Sequence, residues 1–245
     1  MVLNKIIDEI LKKSNNMRDP VFRGQADENW PLESAAVRRL KQNKGEDIDL
    51  SSEVESYEAN NLYHPYRTIG DENQGKHQVL SLLQHHGAAT NYLDFSCNAL
   101  TALWFACSNT SNETKNRNGK LFIIDIGPPH PWANEDEWIG EEESTMENEG
   151  EEESTMENEG RTGEAGYLYL YRYPNQNLST RIVSQQSIFL KGFPNIPEKI
   201  TTQISIDGKD KESIHKELKQ IGISEKILFP DLSGFALQNG PDKPL

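Results

Sequence analysis

The hydrophobic pattern of the first hundred residues is mainly that of amphipathic helices. Ile6, Ile7, Ile10 and Leu11 recur at a spacing that puts them on one helical face. The same periodicity predicts helices at residues 2–13, 33–43, 51–63 and 76–86, and another that begins after Ser96 or Asn98. A short apolar run at residues 21–24 follows Pro20 and predicts a strand.

The later part of the chain shows the two-residue period of β-strands. The clearest example alternates tyrosines with leucines and an arginine, which is typical of a strand with two distinct faces. Strands are predicted at residues 120–126, 167–173, 179–190 and 197–206, a helix at 210–221, and a short final helix that begins at Pro230 and Asp231. A region of helices followed by a region of strands indicates an α+β fold.

The expected architecture is a helical N-terminal half packed on a small mixed or antiparallel sheet. No segment rich in proline, glycine or serine divides the chain. We therefore expect an N-terminal helix within residues 1–19 and a single domain over residues 20–240.

The net charge of −14 is concentrated in one repeated segment. Residues 141–150 recur unchanged at 151–160, and each copy carries five glutamates, so the remaining chain has a net charge near −4. Few apolar residues and high charge predict a disordered acidic insert at about residues 133–163. Because the rest of the chain is nearly balanced, the acidic total does not exclude nucleic acid as a partner.

The cysteines and the N-terminus bear on the compartment. Cys97 and Cys107 provide neither a disulfide framework nor the spacing of a metal site, which fits a reducing cytoplasm. The first residues have charges within their apolar pattern, so we expect no signal peptide. No apolar run approaches the length of a membrane span, and we expect no membrane partner.

A polar insert between two apolar runs, within residues 80–107, is the strongest candidate for chemistry. It contains His85, His86, Thr90 and Asp94. The flanking apolar runs carry these polar groups toward the core, where they must be paired, so they form either a structural hydrogen-bond network or a site. The structural alternatives are histidines that end a helix and an aspartate that caps the next one.

Two other segments place polar side chains in apolar surroundings. Arg23 lies beside Gly24 in the predicted strand, and Arg181 precedes Gln185 and Gln186. Arginine binds phosphate or carboxylate through a planar fork of donors, and an amide both donates and accepts. The structural alternative is a salt bridge for Arg23 and a hydrogen bond at a strand edge for Gln185 and Gln186. No zinc, phosphate-loop or dinucleotide motif is present, and we expect no metal site.

Four blocks in the right order resemble the FRG domain family. They are Phe22-Arg23-Gly24-Gln25 with Trp30-Pro31-Leu32 and Arg38; Gln84-His85-His86-Gly87-Ala88-Ala89-Thr90 with Leu93-Asp94 and Ala102–Ala106; Arg181-Ile182 with Gln185 and Phe189; and Leu228-Phe229-Pro230-Asp231-Leu232. The resemblance runs from about residue 20 to 236. It implies an intracellular bacterial protein of the kind associated with phage defence or toxin systems.

The order of these blocks also resembles the layout of ADP-ribosyltransferases, in which two small sheets hold NAD. This second resemblance implies that NAD is a substrate. It implies NAD-binding roles for Arg23, Gly24, Thr90 and Arg181, and catalytic roles for His85, Asp94 and Gln185. Arg23 would hold the phosphates, His85 and Thr90 the ribose or nicotinamide, Asp94 would fix His85, and Gln185 would orient the acceptor. The late glutamate of such enzymes is replaced here by Gln185 or Gln186.

Three functions are compatible with these residues. The first is an ADP-ribosyltransferase-like enzyme, a toxin or phage-defence effector that modifies nucleic acid or protein and is paired with an antitoxin or another defence protein. The second is a nuclease or other phosphate-cleaving effector in which His85 is the general acid or base and Arg23 and Arg181 hold phosphate. The third is a non-catalytic module that senses an anionic ligand through Arg23.

Overall fold

A computed structural model of the chain describes residues 2–70, 75–108, 116–127, 132–134, 168–171, 180–192, 195–232 and 234–235. Most of the predicted acidic insert, from residue 135 to 163, lies outside these residues. Within the described residues, no helix combines the length and the apolar character that crossing a membrane requires.

The described chain alternates helices with strands. The helices are α1 (Val2–Ser14), α2 (Ala35–Lys44), α3 (Leu50–Tyr57), a π-helical segment (Glu58–Tyr63), α4 (His64–Arg67), α5 (Lys76–His85), α6 (Ala99–Cys107), α7 (Thr180–Ser184), α8 (Lys211–Gln220) and α9 (Glu225–Leu228). The strands are β1 (Pro20–Gln25), β2 (Leu93–Ser96), β3 (Gly119–Asp125), β4 (Trp132–Asn134), β5 (Leu168–Tyr171), β6 (Ser187–Gly192) and β7 (Thr202–Ile206). The fold is α+β, as the sequence predicts.

The strands form one seven-stranded sheet in the order β4-β5-β6-β2-β1-β3-β7. The pair β4 and β5 is parallel and every other neighbouring pair is antiparallel, so the sheet is mixed. The N-terminal half supplies helices and also the strands β1 and β2 at the centre of the sheet. The helices and the sheet are therefore interleaved along the chain.

The sheet is nearly divided at its centre. Strand β1 pairs with β3 through six residue pairs, and β2 pairs with β6 through four. In contrast, β1 and β2 share the single pair Phe22 and Ser96. Two halves of the sheet, β4-β5-β6-β2 and β1-β3-β7, are consequently joined at one point and diverge from it.

Helix α6 packs directly on the second half of the sheet. A Cβ atom at Gly24 of β1 would lie 1.8 Å from the carbonyl oxygen of Ala102, and one at Gly119 of β3 would lie 2.3 Å from that of Ala106. The absence of a side chain at both glycines allows this close approach. Asn98 caps α6 by accepting a hydrogen bond from the backbone N–H of Leu100 at 3.0 Å, as predicted.

The two faces of the sheet bury separate hydrophobic clusters. Phe22, Leu121 and Ile123 pack with α1, α6 and α8, whereas Val21, Phe122 and Ile124 pack with β2 and β6 on the other face. This alternation follows from the two-residue period of β1 and β3. It fixes which side chains of β1 point toward α6.

Two segments differ from the sequence prediction. Residues 93–96 form strand β2, although the pattern suggested a corner between two helices, and Asp94 therefore lies in the sheet and does not cap α6. Residues 180–184, which were predicted as part of a strand, form the helix α7, and the strand begins at Ser187. Both segments are only four or five residues long, so pairing with distant strands decided their structure more than local pattern did.

Candidate functional site

A cleft of about 290 Å³ opens where the two halves of the sheet diverge. Its floor is formed by β1, β2 and the start of β6, and its sides by α6, α7 and the segment after α9. Its polar lining is Arg23, Gln84, Asp94, Ser96, Thr101, Arg181, Gln185 and Ser187, and its apolar lining includes Phe22, Phe95, Phe105, Ile182, Phe189 and Phe229. The volume is near the lower end of the range for small-molecule sites.

Arg23 spans the gap between the two central strands. Its Nη1 donates a hydrogen bond of 2.7 Å to the backbone carbonyl of Asp94 on β2. The buried Nε has no hydrogen-bond partner among the described residues. Burial lowers the pKa of the Arg23 guanidinium, the Asp94 carboxylate opposes this shift, and Arg38 adds to it. Arginine still remains protonated, so the guanidinium brings a positive charge to the cleft.

Asp94 is held by a hydrogen-bond relay from the end of α5. The amide Nε2 of Gln84 donates to Oδ1 of Asp94 at 2.8 Å. The hydroxyl of Thr90 hydrogen-bonds the other end of the same amide, at Oε1. Thr90 is fully buried, and its Oγ1 also accepts a bond of 3.3 Å from the N–H of Tyr92. The relay fixes the orientation of the Gln84 amide and, through it, the Asp94 carboxylate in the cleft.

Gln185 is fixed at the opposite wall of the cleft. Its side-chain Nε2 donates to the backbone carbonyl of Leu228 at 2.9 Å, and its backbone carbonyl accepts from Oγ of Ser96 at 2.6 Å. The next residue, Gln186, has a φ of +49°, in the left-handed region that non-glycine residues rarely adopt. Such a conformation costs about 1 kcal/mol. It turns the chain from α7 into β6 and keeps Gln185 at the cleft.

Arg181 forms an ion pair on the same side of the cleft as Gln185. Its Nε and Nη2 donate to the two carboxylate oxygens of Asp231 at 2.8 and 2.9 Å, and its guanidinium lies 4.9 Å from the ring centroid of Phe229. A bidentate pair of this kind is geometrically specific. Arg181 therefore holds the C-terminal segment against the cleft.

Comparison with protein families bears on the first part of the chain. The family model of the FRG domain matches residues 18–115. The chain is similar to the FRG domain family over these residues. The match covers less than half of the chain and includes Arg23, Gln84, Thr90 and Asp94. No curated protein and no solved structure was found to be similar.

The cleft combines the FRG domain with the later part of the chain. Arg23, Gly24 and Asp94 come from residues that match the family, whereas Arg181 and Gln185 lie beyond the match. These five predicted site residues line one cleft. The resemblance that the sequence suggested at residues 181–232 is outside the family match and stays a prediction.

One predicted site residue does not line the cleft, and the side chain of a second is not described. Thr90 lies behind Gln84, so it supports the cleft through the relay and does not itself line it. The side chain of His85 lies outside the described part of the chain. The carboxylate of Asp94, which was expected to fix His85, accepts its described hydrogen bond from Gln84.

Several cleft residues were not among the predicted site residues. Gln84, Ser96, Thr101, Phe105 and Phe229 all line the cleft. Gln84, Phe105 and Phe229 belong to the blocks that resemble the FRG family, so their membership in those blocks was the available signal. Thr101 had none, since a hydroxyl within an apolar helix has no distinctive pattern.

Proposed function

We propose that the cleft binds NAD and that the protein is an ADP-ribosyltransferase-like enzyme. The observation that carries this proposal is the convergence of Arg23, Asp94 and Gln185, from three distant segments, at the divergence of the central strands. In such enzymes two sheets hold NAD, and the order of the sequence blocks resembles their layout. The likeness is one of layout, so the chemistry of the residues must support it separately.

The lining of the cleft suits the parts of a dinucleotide. The guanidinium of Arg23 offers charge, and its buried Nε offers a spare donor to phosphate oxygens. Phe105 and Phe229, whose rings lie 6.1 Å apart and nearly perpendicular, provide an apolar wall for a flat ring such as nicotinamide. The two features would place the phosphates toward β1 and the nicotinamide toward the C-terminal segment.

The proposed reaction breaks the glycosidic bond between the ribose C1′ and the nicotinamide nitrogen. Nicotinamide leaves with the bonding electron pair, a nucleophile of the acceptor forms the new bond to C1′, and the proton of the acceptor is lost to solvent. Positive charge develops on the ribose during this step, and a fixed carboxylate stabilises it. Asp94, which the relay orients, is the carboxylate of the cleft wall that could supply this stabilisation.

Gln185 would orient the acceptor, since its amide is held by the carbonyl of Leu228. Thr90 would act through Gln84 on the position of Asp94. We further propose that the acceptor is a nucleic acid or a protein, and that the enzyme is an intracellular toxin or phage-defence effector controlled by a partner protein. Labelling of a cell extract with NAD and sequential nuclease or protease treatment would identify the class of acceptor.

The test is to incubate the purified protein with NAD labelled in the adenylate part, with and without cell extract. Transfer of label or release of nicotinamide is expected, and both should be lost in Arg23→Ala and Asp94→Asn. The matched control is Arg39→Ala, because Arg39 is an exposed arginine that contacts Tyr57 away from the cleft. If wild type shows no transfer, no hydrolysis and no NAD binding in calorimetry, the proposal is wrong.

One observation favours a second candidate, a non-catalytic module that binds an anionic ligand. The late catalytic glutamate of ADP-ribosyltransferases is absent, and the amide of Gln185 that stands there is bonded to the backbone. A neutral amide does not stabilise positive charge as a carboxylate does. Under this alternative Arg23→Ala abolishes ligand binding while wild type shows no turnover.

A third alternative is a phosphate-cleaving effector. Degradation of RNA or DNA that disappears in His85→Ala would indicate this function.

A further inference from the structure

Two buried polar atoms in the cleft wall have no hydrogen-bond partner among the described residues. They are Nε of Arg23 on β1 and Oγ1 of Thr101 on α6. Thr101 is 1 % exposed, so its hydroxyl is withdrawn from bulk water. Buried polar groups in folded proteins are nearly always paired, and an orphan therefore needs an explanation.

The local structure does not explain the orphan hydroxyl of Thr101. A threonine within a helix usually bonds to the carbonyl of the preceding turn, and that bond is not made here. The same face of α6 also presents Ala102 and Phe105 to the cleft. Arg23 on β1 and Thr101 on α6 both line the cleft, and α6 packs against β1 at Gly24.

We propose that Oγ1 of Thr101 and Nε of Arg23 form a subsite that binds phosphoryl oxygens. A guanidinium N–H is a charged donor and a hydroxyl is a neutral one, and together they match an anionic group that offers several acceptor oxygens. The identity of its natural ligand, the diphosphate of NAD, rests on the proposed function. It assigns Thr101 a role in ligand binding, which neither the family match nor the sequence pattern indicates.

The subsite predicts opposite effects of one substitution on stability and on binding. Thr101→Val keeps the shape of the side chain and removes the orphan hydroxyl. Its melting temperature should equal or exceed that of wild type, because no bond within the protein is lost and no polar group remains buried. Its affinity for a phosphoryl ligand should fall about tenfold, the effect of one hydrogen bond to a charged group.

The experiment measures the affinity of the full-length protein for inorganic pyrophosphate, ADP-ribose and nicotinamide by calorimetry. Thr101→Ser keeps the hydroxyl and is expected to retain wild-type affinity, whereas Arg23→Lys keeps the charge without Nε and should lose affinity for pyrophosphate and ADP-ribose. Circular dichroism and thermal melts of the same samples report the fold. Nicotinamide has no phosphoryl group, so its binding should be unchanged in Thr101→Val.

Several outcomes would overturn the subsite. They are a lower melting temperature of Thr101→Val with unchanged affinity, an effect on nicotinamide alone, and no pyrophosphate or ADP-ribose binding by wild type. If Thr101→Val weakens pyrophosphate binding while wild type never cleaves NAD, the subsite stands and the proposed enzymatic function fails. The two proposals are therefore tested separately.

Discussion

Replacement of Gly24 by alanine should destabilise the protein strongly. An alanine Cβ would lie 1.8 Å from the carbonyl oxygen of Ala102 and 2.6 Å from the amide nitrogen of Ala106. Both are backbone atoms of α6, so no side-chain rotation relieves the contact, and the helix must move away from β1 by more than about 1 Å. Overpacking costs about 1–3 kcal/mol and sometimes more, so we expect a loss of about 3 kcal/mol in the free energy of unfolding.

The assay is equilibrium urea denaturation of wild type and Gly24→Ala, with thermal melts in parallel. For a chain of this length, about 3 kcal/mol corresponds to a melting temperature lower by roughly 6–12 °C. Gly75→Ala is the control, because Gly75 precedes α5 at φ −62° and a Cβ there would meet no atom of the described residues within 4 Å. That variant should change stability by less than about 1 kcal/mol, since the weaker cap and the reduced chain entropy of alanine act in opposite directions.

The same variant separates two explanations of the glycine in the FRG tripeptide. If the glycine serves the packing of α6, then Gly24→Ala loses stability, and ligand binding falls with it because α6 carries Thr101 and Phe105 into the cleft. If the glycine instead serves close approach of a ligand to β1, stability is retained and binding alone is lost. A Gly24→Ala protein as stable as wild type would refute the packing argument.

Three further predictions concern single groups. Asp231→Asn should cost about 1–3 kcal/mol in urea denaturation and weaken ligand binding, because it breaks the bidentate pair with Arg181 that holds the C-terminal segment at the cleft; wild-type values for both would contradict this role. Glu58→Gln should cost about 3 kcal/mol, because it removes the buried carboxylate that lies 3.1 Å from Nζ of Lys191; a loss below about 1 kcal/mol would mean that the ion pair is not needed. Burial raises the pKa of the Cys107 thiol to about 12, so native protein at pH 8 should react with a thiol reagent at the other, exposed cysteine and at Cys107 only after denaturation; rapid labelling of two thiols would contradict this burial.

The long amphipathic helices and the isolated strands were predictable because local pattern and tertiary structure agree there. Residues 2–13 and 210–221 have apolar positions at helical spacing, and α1 and α8 begin and end within two residues of those bounds. The prediction for residues 93–96 was wrong, because four residues carry too little periodicity to distinguish a strand from a corner between two helices. Pairing with β6, which lies about 90 residues later, makes them a strand.

Those site residues that belong to distinctive sequence blocks were predicted correctly. Arg23, Asp94, Arg181 and Gln185 were singled out because charged and amide groups stand out in apolar surroundings, and they do line one cleft. The sequence could not indicate that Arg181 would be neutralised by Asp231, because that pair joins residues 50 positions apart. Nor could it place Thr90 behind Gln84, since that depends on where α5 ends relative to β2.

The position of the cleft follows from the one place where the sheet is incomplete. Beyond the pair formed by Phe22 and Ser96, β1 and β2 no longer exchange backbone hydrogen bonds, and the carbonyl of Asp94 accepts from the side chain of Arg23. The guanidinium thereby takes the place of the strand partner that this carbonyl lacks on the β1 side. Nη1 is used for this purpose, and Nε has no hydrogen-bond partner among the described residues. Arg23 thus keeps the sheet intact and provides the cleft with its charge, which is why Arg23→Lys, although it conserves the charge, should impair both stability and binding.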